Sequence, residues 1–364
     1  MSRGSHQNGL LPSVPLYIVT IIVLAAALVF SLLAAVTFGT MDLPLSDVYT
    51  VLLYRLRHAL LGTPFPEAWA PGTAMHDVVW LIRLPRLVLA AAVGMALSVS
   101  GVVMQAIVKN PLADPYILGI SSGASLGATV AVLLGVGAAF GSNYVGMMSF
   151  LGAFGVSMAV ITLANIGGRA TSVKLLLSGS ALSAICSAFS SFIIYLADSD
   201  HATTQVVRWT MGSLAAAEWP GNGVMCLMAV GGALFFLTQF RTLDLMLLGD
   251  ENAITLGTDL HRWRVLYLVV SSLMVGFAVY SAGVIGFVGL VVPHVTRIFF
   301  GTAHKKLVPI AALGGAIFLV WADVLCRTIL PGNEMPIGIL TSVLGAPVFV
   351  FLMACKRYGF GGRE

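Results

Sequence analysis

From Leu16 to Phe38 the chain runs 23 residues without a charged side chain, and that single run already limits the fold. A helix rises about 1.5 Å per residue, so the run reaches about 34 Å, enough to cross a hydrocarbon core about 30 Å thick. It exceeds the apolar stretch of a signal peptide, so we expect it to be retained. Further apolar runs follow at about 84–108, 116–138, 144–166, 173–197, 223–240, 265–279, 286–300, 307–325 and 337–354, the one at 286–300 shorter and interrupted. Backbone groups cannot bond water inside a bilayer, so each run must be helical. The expected fold is an all-α polytopic membrane protein of about ten transmembrane helices, a single membrane domain spanning 1–364. With 58% hydrophobic and 9% charged residues, a soluble globule could not hide this much apolar surface.

The connections hold the polar residues. Residues 1–15 form a polar tail, and 39–82 a long extramembrane loop with Arg55, Arg57, His58, Glu67 and Asp77. A broken stretch at 198–222 contains a helical piece near 203–211. Short cytoplasmic loops retain Lys and Arg. Placing the N-terminus inside puts 13 of the 19 basic residues, every lysine among them, on the cytoplasmic face. Both termini and the loop 241–262 are then cytoplasmic. A net charge of +4, with basic residues in ones and twos, leaves no nucleic-acid footprint. Cys186, Cys226, Cys326 and Cys355 lack metal-ligand spacing and the histidines do not cluster, so no metal site is expected.

Within 241–262 lies a polar island from Gly249 to Gly257, containing Asp250, Glu251, Ala253 and Leu256. Asp250 can cap a short helix, Gly257 can end it in the left-handed conformation, and Thr258 can cap the next piece. Two helical pieces meeting at a bend read as a coupling element. Small Ala253 and Gly257 would admit another protein's backbone while Asp250 and Glu251 stay hydrated. An ordinary loop fits the same spacing.

Six arginines remain outside, against the charge bias. Arg83 and Arg86 flank Leu84-Pro85, and proline suits the first turn of a helix. Two guanidinium forks would thus be presented at the outer face, suited to carboxylates on a partner or to lipid phosphates. Asp323, the one acid embedded in an apolar run, stands four residues before Arg327, which fits a structural pair better than an ion-coupling site. No Lys follows a Gly anywhere, so the chain has no phosphate-binding loop of its own. Energy from ATP would have to come from another subunit.

A longer pattern resembles the FecCD family of ABC importer permeases, which serve iron–siderophores, haem and cobalamin. It includes Arg83-Leu84-Pro85-Arg86, Gly94, Gly101, Gln105, Asn110-Pro111-Leu112-Ala113-Asp114-Pro115, Leu118-Gly119 and Ser122-Gly123-Ala124. Trp209 with Gly212-Ser213-Leu214, the island from Leu248 to Gly257, and Gly286-Phe287-Val288-Gly289-Leu290 through Pro293-His294 and Arg297 continue it. Asp323, Arg327, Glu334, Pro336-Ile337-Gly338 and Gly345-Ala346-Pro347-Val348-Phe349 close it. Met335 departs from the smaller branched residue that relatives more often carry.

The resemblance implies a type II importer permease in the bacterial inner membrane, with 39–82 in the periplasm. It also implies a homodimer, two cytoplasmic ATP-binding subunits that hold ATP and Mg, and a periplasmic substrate-binding protein. No cofactor is expected on this chain, and it performs no bond chemistry. By analogy Arg83, Arg86 and Arg327 dock the binding protein, and the island seats in the ATPase. Trp209, Gly212 and Ser213 belong to the gate. Ser183, Tyr195, His201 and Gln205 are expected along the substrate path, with Tyr195 or His201 either a passing ligand for haem or simply solvated. Iron(III)–siderophore is the favoured cargo, then haem, then cobalamin. An ion-coupled secondary transporter and a structural membrane subunit are the readings of a different class.

Overall fold

The computed structural model describes residues 14–354 apart from Thr40, Asp42, Asp198 and Pro331. The expected polar tail, Cys355 and the last basic residues lie outside these or at their edge. Among the described residues every regular element is helical. The chain opens with α1 (Val14–Ala35), followed by α2 (Leu45–Leu61) and the single turn α3 (Ala74–Asp77). A π-helical stretch, Val78–Arg83, feeds directly into α4 (Leu84–Val108). After a 3-10 turn at Pro115–Leu118 come α5 (Ile120–Leu134), α6 (Tyr144–Asn165) and α7 (Ser172–Leu196). Then follow α8 (Asp200–Thr210), α9 (Trp219–Thr238), α10 (Phe240–Leu248) and α11 (Asp250–Thr255). The last four are α12 (Leu260–Ala282), α13 (Val288–Phe300), α14 (His304–Thr328) and α15 (Ile337–Ala354).

Seven of these, α1, α4, α6, α7, α9, α12 and α14, are long and apolar enough to cross a membrane, and α5, α13 and α15 are shorter apolar helices. These ten coincide with the ten runs read from the sequence. The reason α5 and α13 are short is local. Gly119 (φ 72°) and Phe287 (φ 67°) hold left-handed backbone just before them, and 13–15 residues of helix cover only about 20–22 Å. The expected loop 39–82 is more ordered than its mixed composition suggests, since α2, α3 and all but the last residue of the π-helical stretch fall inside it.

α4 is the central post, packed against α14, α9, α12 and α13. Its small residues allow this. A Cβ at Gly101 would lie 1.8 Å from the Gly289 carbonyl oxygen, and one at Gly94 would lie 2.2 Å from that of Gly315. Lipid chains are as apolar as leucine, so helices associate in a bilayer by close packing, which small residues permit. α5 and α6 make a second tight pair, flanked by α7 and α12. α1 and α7 stand at the periphery with most of their apolar side chains exposed.

Two clusters of charged residues mark the two ends of the bundle. Lys109, Arg169, Asp250, Asp259 and Arg264 converge at one, here the island end. Arg83, Arg86, Asp323, Arg327 and Glu334 converge at the other, the arginine end.

Candidate functional site

At the island end, α11 is held through the Asp250 carboxylate. Arg264, 3% exposed, donates to Asp250 at 2.5 Å and to the Ala170 carbonyl at 2.8 Å. Lys109 stands 3.9 Å from the same carboxylate. Lys109 closes α4 with φ 56°, a left-handed conformation that costs a non-glycine residue energy and recurs at functional positions. Two expectations about this region are corrected. Asp250 does not cap α11, whose N-cap is Gly249 without a side-chain bond, because its carboxylate is taken by Arg264. Asp259 rather than Thr258 caps α12, accepting from the His261 N–H. That bond, with Arg169 at 3.3 Å, draws the Asp259 carboxyl below its ordinary range.

Ala253 faces inward and is fully buried, so it admits no other backbone. Gly257 does bend the chain in the left-handed region (φ 80°), and a Cβ there would meet open space. Glu251, Ile254 and Leu256 are exposed around it. The island is thus a salt-bridged base carrying an apolar knuckle, Ile254 and Leu256.

The arginine end differs from the expectation more strongly. Arg83, Arg86 and Arg327 are not presented at the surface: they are 3%, 6% and 5% exposed. Arg86 donates from Nε to Asp323 and from Nη1 to Glu334, both at 2.7 Å. Arg327 approaches the second Asp323 oxygen at 3.0 Å as an ion pair without hydrogen-bond alignment, and it donates to the Phe38 carbonyl at 2.8 Å. Arg83 donates to the carbonyls of Val36, Thr37 and Met41. The physical reason is solvation. A guanidinium within an apolar bundle finds its best partners inside the protein, and Asp323, fully buried, needs both cations to be tolerated there. The structural pairing of Asp323 with Arg327 read from their spacing is present, with Arg86 as an additional partner.

Between the two ends, the segment after α8 is wedged between α12 and α15. The Ser213 N–H donates to the Ala282 carbonyl at 2.8 Å, the Gly338 N–H to Met211 at 3.0 Å, and the Ile337 N–H to Gly212 at 3.3 Å. A Cβ at Gly212 (φ 73°) would lie 2.6 Å from the Val284 oxygen. The structure therefore joins Trp209, Gly212 and Ser213 to the end of α12 and the start of α15. Next to this junction Tyr116, Ser121, Ser122, Ser125, Ser183, Ser187, Thr210 and Val284 line a cavity of about 350 Å³. Ser183 lies halfway along α7, so the cavity sits at mid-height. Its lining bears hydroxyls and no charge. Tyr195, His201 and Gln205 are exposed at the α7–α8 corner, away from this lining.

Sequence reasoning missed Lys109, Arg264, Tyr116 and Val284 as parts of these arrangements. The usable signal was the adjacency of Arg262 and Arg264 to the island. Among the described residues no group of three or more His, Cys, Asp or Glu is placed to hold a metal ion.

Residues 27–355 match the FecCD transport family. The hemin transport system permease protein HmuU of Yersinia pestis is 41% identical over 305 residues, covering 82% of this chain and 90% of that one. The vitamin B12 import system permease protein BtuC of Salmonella paratyphi A is 41% identical over 299 residues, covering 81% and 90%. Among solved structures, an inward-facing conformation of a metal-chelate type ABC transporter superposes with a TM-score of 0.75 at 28% identity, covering 92% of this chain and 98% of that one. The chain belongs to the FecCD transport family and is an ABC transporter permease.

Proposed function

We propose that this permease imports a macrocyclic metal chelate, haem first and a corrinoid second, from a soluble carrier into the cytoplasm. The observation that carries the reading is the near full-length likeness, at equal identity, to permeases named for haemin and vitamin B12. An iron–siderophore, the cargo favoured from the sequence, has no comparable support. Exposed Tyr195 and His201 are the residue types that ligate haem iron, which places haem ahead.

Two copies would pair through α7, α8 and α15. α7 and α15 leave Leu177, Ile185, Phe189, Phe192, Val343 and Val350 uncovered and α8 leaves Val207 so, and the cargo would pass between the copies, along the hydroxyl-bearing side of α7. The island end would lie in the cytoplasm with both termini, its apolar knuckle seated in an ATP-binding subunit that holds ATP and Mg. ATP binding would move the knuckle, and the wedge at Gly212 would pass that movement to α12 and α15. A carrier could reach the buried arginines only by exchanging its own carboxylates for the internal ones. Glu334, with a side chain 35% exposed, is the member open to exchange.

The test is growth of a strain lacking this gene. Loss of growth on haemin as sole iron source, with growth on ferric siderophores retained, is expected. Loss only on siderophores would overturn the cargo assignment. Vanadate-insensitive uptake would overturn the ATP-driven reading.

A further inference from the structure

α2 has three faces. With successive residues turned by about 100°, Leu45, Tyr49, Leu53, Leu56 and Leu60 fall within an arc of about 80°, and each is between 43% and 72% exposed. A second face turns inward. Val48 and Val51 are fully buried, and Arg55 beside them donates to His76 at 2.8 Å with its guanidinium 4.7 Å from the Trp80 ring centre. The remaining arc carries Asp47, Thr50, Arg57 and His58. Protein contact, aliphatic stripe and polar face thus follow one another around the helix.

A soluble loop helix needs only the packed face and the polar face. An exposed leucine stripe between a packed face and a polar face is the pattern of a helix lying in the plane of a membrane interface. The neighbours agree. The Tyr49 hydroxyl donates to the Leu33 carbonyl at 3.2 Å, so the stripe adjoins the last turns of α1, where Val29, Phe30 and Leu33 are exposed. Leu81 and Ile82, just before the buried Arg83, are also exposed. Trp69 stacks on Tyr54 of α2, and Trp80 packs against Trp219 at the same end, matching the aromatic enrichment of the membrane–water boundary.

We propose that α2 is an interfacial anchor, its leucine stripe sunk among the acyl chains of the leaflet at the arginine end and its polar face in water. The stripe continues the lipid-facing surface of α1 and contains no charged group, so lipid rather than a carrier protein is its occupant. Packed against the segment that delivers Arg83 to α4, the anchor fixes the depth of the rim around the arginine network.

The test places a nitroxide label on the otherwise intact chain, with its native cysteines replaced, in vesicles of phosphatidylethanolamine and phosphatidylglycerol. Labels introduced by Leu53→Cys, Leu56→Cys and Leu60→Cys are expected to show a several-fold higher ratio of oxygen to water-soluble nickel-complex collisions than labels from Thr50→Cys and Arg57→Cys. Equal ratios on both faces would overturn the proposal. So would a leucine face that is nickel-accessible alone and becomes shielded only when a carrier protein binds. Because cysteine replacement can unfold the chain, the unmodified protein is also irradiated in vesicles containing a photoactivatable phospholipid. Adducts mapped within 45–61 support the anchor, and adducts on α1 with none in 45–61 overturn it.

Discussion

The two ends of the bundle use the same kinds of side chain in opposite ways. At the arginine end Arg86 and Arg327 share Asp323, Arg86 also takes Glu334, Arg83 donates to backbone carbonyls, and all three arginines and Asp323 are withdrawn from solvent. At the island end one buried arginine fixes one half-exposed carboxylate, while the apolar knuckle of Ile254 and Leu256 stays outside. Charges count as a docking surface only after internal pairing has taken its share. By that measure the island end offers a partner an apolar knob, and the arginine end offers a rim whose charges are already engaged.

The comparison breaks most directly at Asp323. Asp323→Ala leaves Arg86 and Arg327 buried without their shared anion, and removing one member of a buried ionic cluster costs about 3–5 kcal/mol. A marked drop in thermal unfolding temperature in detergent is expected. An unchanged unfolding temperature would mean that the network is decoration. The Arg264→Ala variant probes the other end. It removes the charged hydrogen bond to Asp250, worth about 2 kcal/mol, so hydrogen exchange across 250–257 should accelerate while the arginine end keeps its protection.

Gly257 sharpens the contrast further. Any side chain there meets open space but must adopt left-handed backbone, a strain of about 1 kcal/mol. Gly257→Trp should leave the protein folded and uncouple ATP hydrolysis from uptake in the assembled transporter, and Gly257→Ala reports the strain alone. Normal uptake in Gly257→Trp would remove the knuckle from the coupling role. The smallest effect concerns pH. The Asp259 carboxyl titrates below its ordinary range because its anion accepts the His261 N–H. The stabilisation it gives is therefore complete above the ordinary carboxyl pKa and fades as pH falls through the lowered one. Exchange at the start of α12 should rise only under strongly acidic conditions, and Asp259→Asn should flatten that rise.

Much of this architecture was legible in the chain. The ten apolar runs became ten helices because a bilayer gives an apolar backbone no other choice. The piece near 203–211 became α8, and Gly257 took the left-handed bend. α2 was hidden because its leucines alternate with polar residues, so its hydropathy reads as a loop, whereas its exposed stripe emerges only from helical geometry. The caps went wrong for a different reason. Asp250 could have bonded its own helix, but a buried guanidinium fourteen residues away is the stronger partner.

Run length and polarity alone determined that this chain spans a membrane about ten times, and that its polar bend falls between two helical pieces. Tertiary structure decided which charges face outward. Arg86 finds its acids 237 and 248 residues further along the chain. Local pattern carries no information over that distance, and the competition between water and a buried counter-ion is settled only once α4 and α14 have packed together.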